Sequence, residues 1–188
     1  MNFLELTDFE KWSRFKNGDN VALSGIYKEN ATKLYQYGLK FTADFHQVED
    51  SIHDLFHELI KNRKRLGNTD NILFYLLKSF KRELVRKLLM ENRKPSAREK
   101  EEAPFGISYS IEHEIIAEEK NQHQKNLLLK ALHTLTSRQK EAVYLRFTRE
   151  LNYSEVSAIM GISVEACRNL VSGAVKTMKE TLKAPSDF

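Results

Sequence analysis

Side chains able to hydrogen-bond or charge-pair collect in three places along the sequence. Near the C-terminus, Val164, Cys167, Val171, Ala174 or Val175, Met178 and Leu182 return every three to four residues, the period of a helix with one apolar face. The other face then carries Glu165, Arg168, Asn169, Ser172, Gly173, Lys176 and Lys179. An Arg fork matches the edge of guanine and an Asn amide that of adenine, whereas Lys suits phosphate as a point charge. Ser163, Glu165, Arg168, Asn169, Ser172 and Lys176 are therefore candidate contacts to duplex DNA, with Lys179 placed for a phosphate. Glu165 either accepts from a cytosine amine or, more plainly, favours the positive end of the helix dipole.

The second place is residues 61–94, where eleven Lys and Arg face three acids, a net of +8 in a chain whose total is +4. Phe74, Tyr75 and Phe80 are interleaved with Lys78, Lys81, Arg82, Arg86 and Lys87. Aromatic faces that stack on unpaired bases, beside cations that neutralise phosphate, suit a single strand. Core packing would account equally for Phe74 and Phe80, and a charge run alone reads as a solvated helix face. The third place is His53-Asp54-Leu55-Phe56-His57, with His46 seven residues earlier. Two His at i and i+4 with an acid between them resemble a zinc hydrolase motif. No separate third ligand is evident, so the expectation is no metal, no cofactor and no enzyme.

These side chains need helices to position them. Only seven Gly and three Pro occur among 188 residues, too few turn residues for a β-sandwich, and no stretch alternates as a strand would. Helices are predicted at about 6–16, ending at Asn17-Gly18-Asp19, then 20–45, 47–65, and a basic helix to about 93. The 66–71 loop precedes that last helix, with Thr69 or Asp70 as its N-cap. Residues 94–108 hold two Pro, a Gly and a charge run without apolar period, as a tether would. Ile111, Ile115 and Ile116, then Leu128, Leu132 and Leu135, resume helical spacing. The expected fold is all-α: two small helical domains, 1–93 and 111–184, joined by a flexible linker at 94–110.

Within the second domain Thr136-Ser137-Arg138-Gln139 forms a capping box opening a helix with Ala142, Val143, Leu145 and Phe147. Asn152-Tyr153-Ser154-Glu155 caps a short helix whose apolar side is Val156, Ile159 and Met160. Gly161 ends it, Ile162 plugs the turn and Ser163 caps the long helix. Short helix, Gly turn and longer amphipathic helix, with small Ser157 at the crossing, describe a helix-turn-helix. Cys167 is the only cysteine, so an internal disulfide is impossible. Neither a membrane-spanning run nor a signal peptide is expected, and a reducing cytoplasm is the expected setting. Charge is distributed as −4 over 1–60, −3 over 95–126 and +3 beyond.

The stretch LTSRQKEAVYLRFTRELNYSEVSAIMGIS resembles region 4 of the extracytoplasmic-function sigma factors, matching at Leu135, Arg138, Gln139, Leu151, Tyr153, Glu155, Gly161, Ile162 and Ser163. Val48-Glu49-Asp50-Ser51-Ile52-His53-Asp54-Leu55-Phe56 is similar to their region 2, as is Gly18-Asp19 followed by Leu23 and Tyr27. The resemblance covers about residues 8–93 and 112–183. It implies a four-helix region 2 that binds the coiled coil of the polymerase's largest subunit through Glu49, Asp50, Asp54 and Glu58, beside Asp44. That domain would melt and read a −10 element through Asn68, Asn71, Tyr75, Lys78, Lys81, Arg82 and Arg86, the 66–71 loop holding a flipped base. Region 4 would read a −35 element and touch the polymerase flap. Partners so implied are core RNA polymerase and promoter DNA, with room for an anti-sigma factor, and neither a small-molecule substrate nor membrane insertion.

Leu170 and Gly173 stand where the family's recognition helix is usually basic, Ser157 where Ala is usual, and Arg82 and Arg86 where Asn and Asp are usual. Promoter sequence does not carry over. Two rivals remain at this point: a helix-turn-helix regulator whose first half senses a signal, and a helical adaptor that never touches DNA.

Overall fold

The computed structural model describes residues 5–91, 105–106 and 122–183. The chain divides into two compact units, Met1–Ala103 and Pro104–Phe188. Among the described residues the regular structure is helical throughout, without a strand.

In the first unit, α1 spans Asp8–Lys16, α2 Asn20–Gly38, α3 Phe45–Asn62 and α4 Ile72–Glu91, with a 3-10 turn at Arg63–Arg65 after α3. Thr7 and Glu10 open α1 as a capping box: Thr7 Oγ1 accepts from Glu10 N at 3.3 Å, and Glu10 Oε2 accepts from Thr7 N at 2.8 Å. Asp19 caps α2 by accepting from Val21 N at 2.8 Å and Ala22 N at 3.1 Å. Between them Gly18 takes φ +94°, a conformation that a side chain resists.

The sequence carries helical spacing from 20 to about 45, yet α2 stops at Gly38. A Cβ there would lie 2.6 Å from Val48 Cγ1 and 3.0 Å from Phe80, because α3 and α4 close on that point. The chain turns, and Asp44 becomes the cap of α3, accepting from Gln47 N at 3.1 Å. α3 buries Val48, Ile52, Leu55, Phe56 and Leu59 on one face. With Leu76, Leu77, Phe80 and Leu84 of α4 and Trp12, Phe15, Ile26 and Leu34 of α1 and α2, they form the core. Each such aliphatic or aromatic side chain contributes about 1.5–3 kcal/mol when fully buried.

In the second unit, α5 spans Gln122–His133, α6 Ser137–Val143, α7 Tyr153–Met160 and α8 Val164–Lys183. Ile111, Ile115 and Ile116 lie outside the described residues. The Thr136 capping box forms, Thr136 Oγ1 accepting from Gln139 N at 3.3 Å and Gln139 Oε1 from Thr136 N at 3.0 Å.

α6 then widens into a π-turn over Tyr144–Thr148, and Glu150 takes φ +56°. The extra residue in the turn breaks the helical register. Tyr144 and Leu145 go inward, while Phe147, expected on the apolar face, is 56% exposed. Leu182, expected in the stripe of α8, is 44% exposed. Phe105, inside the stretch read as tether, is buried, its ring centroid 5.8 Å from that of Tyr144. A lone apolar residue in a polar run gives no period, which is why the sequence hides it.

Candidate nucleic-acid interface

In the second unit the polar face is held out by the local chemistry of α7 and α8. Asn152 Oδ1 accepts from Glu155 N at 3.0 Å and Glu155 Oε2 from Asn152 N at 2.8 Å, a capping box that fixes where α7 starts. Gly161 ends α7 in the left-handed region at φ +66°, with Ile162 N donating to Ser157 O at 3.1 Å. Ser163 Oγ accepts from Ala166 N at 3.1 Å and starts α8. Ser157 is buried where the helices cross, its hydroxyl donating to Ser154 O at 2.8 Å.

With Cys167, Val171 and Ala174 of α8 buried, Ser163, Glu165, Arg168, Asn169, Ser172 and Lys176 are all exposed. Burial also pushes the Cys167 thiol above its usual pKa. The Arg168 guanidinium lies 5.7 Å over the Tyr153 ring, and that of Arg146 lies 5.2 Å from the same ring. Gly173, expected on the outer face, instead turns toward α6, where a Cβ would be 3.5 Å from Gln139 Nε2.

In the first unit the loop before α4 is built by α1. Trp12 Nε1 donates to Gly67 O at 2.8 Å, Lys16 Nζ to Asn68 Oδ1 at 2.7 Å, and Ile72 N to Asp8 Oδ2 at 2.8 Å. The N-cap of α4 is Asn71, whose Oδ1 accepts from Phe74 N at 2.9 Å, rather than Thr69 or Asp70. Thr69 supports it by accepting from Asn71 N at 3.1 Å, so the helix begins one residue later than its composition suggests.

Among the residues expected at single-stranded DNA, Asn68, Lys78, Arg82 and Arg86 are exposed. Tyr75 is half-buried with its ring centroid 4.9 Å from that of Trp12, and Lys81 lies 5.9 Å from the Phe41 ring. Phe80 belongs to the core. Arg86 is paired with Glu83, which holds that carboxyl below its ordinary value and raises the guanidinium. Arg82 has no ion-pair partner among the described residues.

Glu49, Asp50, Asp54 and Glu58 are exposed on α3, opposite its buried face. Asp54 is tied to Lys87, and Glu58 Oε2 accepts from Asn62 Nδ2 at 2.9 Å. A groove of about 510 Å³ between α3 and α4 brings Asp54 and Glu58 together with Tyr75, Arg82, Glu83 and Arg86. Among the described residues no group of three or more His, Cys, Asp or Glu side chains gathers as a metal site, and none of the helices is long and apolar enough to cross a membrane.

Residues 131–180 match the family described as Sigma-70, region 4. That stretch is similar to a sigma-70 region 4. The helix-turn-helix, α7 to α8, lies within the matched residues except for the last three residues of α8. Two solved structures share the fold at low sequence identity. CnrH, solved in complex with the cytosolic domain of CnrY, aligns with a TM-score of 0.61 at 16% identity, over 95% of this chain and 99% of that one. The sigma factor RpoE from Bartonella quintana, solved with the anti-sigma factor NepR, aligns with a TM-score of 0.52 at 16% identity, over 91% and 98%. No curated protein sequence matches the chain.

Around region 4, sequence reasoning missed Tyr153 as the ring beneath Arg168 and Phe147 as an exposed apolar group. Tyr153 was legible only as part of a cap, and Phe147 only as part of a stripe. In the first unit it missed Asp8, Trp12 and Lys16, because contacts across more than fifty residues leave no local signal.

Proposed function

We propose that this protein is an RNA polymerase sigma factor of the extracytoplasmic-function type, which binds core RNA polymerase and directs promoter recognition, DNA melting and the start of transcription. The observation that carries this is the placement of Arg168 and Asn169, exposed in the first turns of α8 within a sigma-70 region 4. A recognition helix meets base edges with its N-terminal residues. Arg168 would read a guanine and Asn169 an adenine of the −35 element, each good bidentate pair giving about 1–3 kcal/mol of discrimination. Ser163, Ser172, Lys176 and Lys179 fit the flanking phosphates.

The first unit is assigned to the −10 element and to the polymerase. Asn68, Tyr75, Lys78, Arg82 and Arg86 line a basic, aromatic path for an opened strand, with Asn71 and Lys81 supporting it. Glu49, Asp50, Asp54 and Glu58 offer an acidic helix to a basic partner surface on the core enzyme. On this reading residues 1–93 and 111–184 are separate promoter-reading domains on a tether at 94–110. A groove of about 520 Å³ along α8, lined by Phe147, Tyr153 and Val175 beside Ser172, Lys176 and Lys179, belongs to the same DNA-facing side of that helix. The chain performs no reaction itself; it positions the polymerase, and so works in the cytoplasm. An anti-sigma factor is a fitting further partner, since the two structures of like fold were solved with CnrY and NepR.

Size-exclusion chromatography with core RNA polymerase tests the reading. The protein is expected to co-elute with core and to bind promoter duplex only in that complex. Tight, sequence-specific duplex binding by the protein alone would instead make it a free-standing regulator.

A further inference from the structure

We infer that Lys16 sets which base the 66–71 loop accepts, by holding the Asn68 amide with its nitrogen outward; this rests on reading the loop as a seat for an unpaired −10 base. α1 grips the loop on both sides of Asn68. Trp12 Nε1 holds Gly67 O at 2.8 Å and Asp8 Oδ2 holds Ile72 N at 2.8 Å. Trp12 is 1% exposed, wedged between Phe15 and Tyr75, so the gripping helix is itself fixed in the core. The backbone that carries Asn68 therefore has little freedom, and the orientation of its side chain is the remaining variable.

Lys16 removes that variable. Its Nζ lies 2.7 Å from Asn68 Oδ1. An ammonium has three donors and no acceptor, so only the amide oxygen can face it. Asn68 is exposed, and its Nδ2 has no partner among the described residues. The loop thus presents a hydrogen-bond donor at this point.

An Asn reads adenine by using its oxygen and nitrogen together, on N6 and N7. With the oxygen drawn to α1, Asn68 offers the nitrogen alone. That single donor can reach a ring nitrogen or a carbonyl of any unpaired base, so adenine loses the paired bond through which an Asn would otherwise favour it. Lys16 touches no base; it is a positioning residue that acts through Asn68.

The test uses full-length protein with core RNA polymerase and a pool of promoter templates randomised over a ten-base-pair −10 window, sequencing the templates that yield transcripts. Asn68→Ala identifies the position concerned, as the base at which selectivity flattens. At that position the wild-type protein is expected to show no preference for adenine. Lys16→Met keeps the side-chain stem but frees the amide to turn, and is expected to raise the adenine share there roughly tenfold. Asn68→Asp retains a partner for Lys16 but swaps donor for acceptor, and is expected to favour bases with an exocyclic amine (adenine, cytosine or guanine) over thymine.

If Lys16→Met and Asn68→Asp select the same bases as the wild-type protein, the assignment is overturned while the initiation reading stands. A wild-type preference for adenine at the Asn68 position overturns it likewise. If the wild-type complex enriches no sequence at all, the initiation reading fails and takes this assignment with it.

Discussion

The two basic helices, α4 in the first unit and α8 in the second, use their charge differently. On α8, Arg168, Asn169 and Lys176 are exposed, and the contact that steadies Arg168 is a neutral ring, Tyr153. On α4, Arg86 is paired with Glu83 and Lys87 with Asp54 of the neighbouring helix, leaving Lys78 and Arg82 more available. A net charge counted along a sequence therefore overstates what α4 offers a polyanion, whereas the smaller charge near α8 is nearly all on display. A helix that reads base edges needs side chains free to form directional bonds. One that guides a strand beside a protein interface tolerates internal ion pairs, each worth little on an exposed surface.

The largest expected effect lies on α8. Arg168→Ala with Asn169→Ala should lower promoter-directed initiation by about a hundredfold or more, given roughly tenfold or more per lost bidentate contact, while core binding is retained. Run-off transcription and co-elution measure the two separately. Next comes the acidic face of α3. Asp50→Lys should weaken core binding by at least about tenfold, read by fluorescence titration, because it sets like charges against each other. Asp54→Lys should cost less through lost attraction, since Asp54 already spends its charge on Lys87, although it also repels that lysine.

Gly161→Ala should destabilise the second unit by about 1 kcal/mol, a few degrees in its thermal transition. The cause would be backbone strain alone, since a Cβ there meets nothing within 4 Å while φ is +66°. Smallest, and sharpest for the comparison, is the contrast between the two arginines of α4. Arg82→Ala should reduce the salt dependence of binding to opened promoter DNA by about 0.7 in the log–log slope; Arg86→Ala should reduce it less. Arg86→Ala should also let the Glu83 carboxyl titrate nearer its ordinary value. In the wild-type protein Glu83 is depressed on folding, so its contribution to stability is present above the ordinary glutamate range and fades as pH falls through the lowered folded value. NMR titration of the Glu83 side chain checks the direction.

The helix-turn-helix was legible in the sequence because its signals are local: three caps, one glycine at positive φ and a stripe of period 3.6. The same locality explains the misses. The π-turn at Tyr144–Thr148 adds one residue to a turn without changing composition, so Phe147 reads as core. The need for glycine at 38 depends on Val48 and Phe80, which approach from other helices. The exposure of Arg168 and Asn169 follows from the spacing of Cys167 and Val171 beside them, and was readable in advance. The grip of α1 on the 66–71 loop joins residues 52 to 64 positions apart and was not.

The central claim is that two helical units present separate surfaces to one promoter on behalf of a polymerase. In vitro transcription by core enzyme with and without this protein, on templates selected by the wild-type complex and then altered in the −35 or the −10 element alone, tests it most directly. Transcripts are expected only when protein, core and both elements are present, with Arg168→Ala blunting the response to the −35 change and leaving the response to the −10 change intact. Transcription that is indifferent to the protein, or to either element, would contradict it.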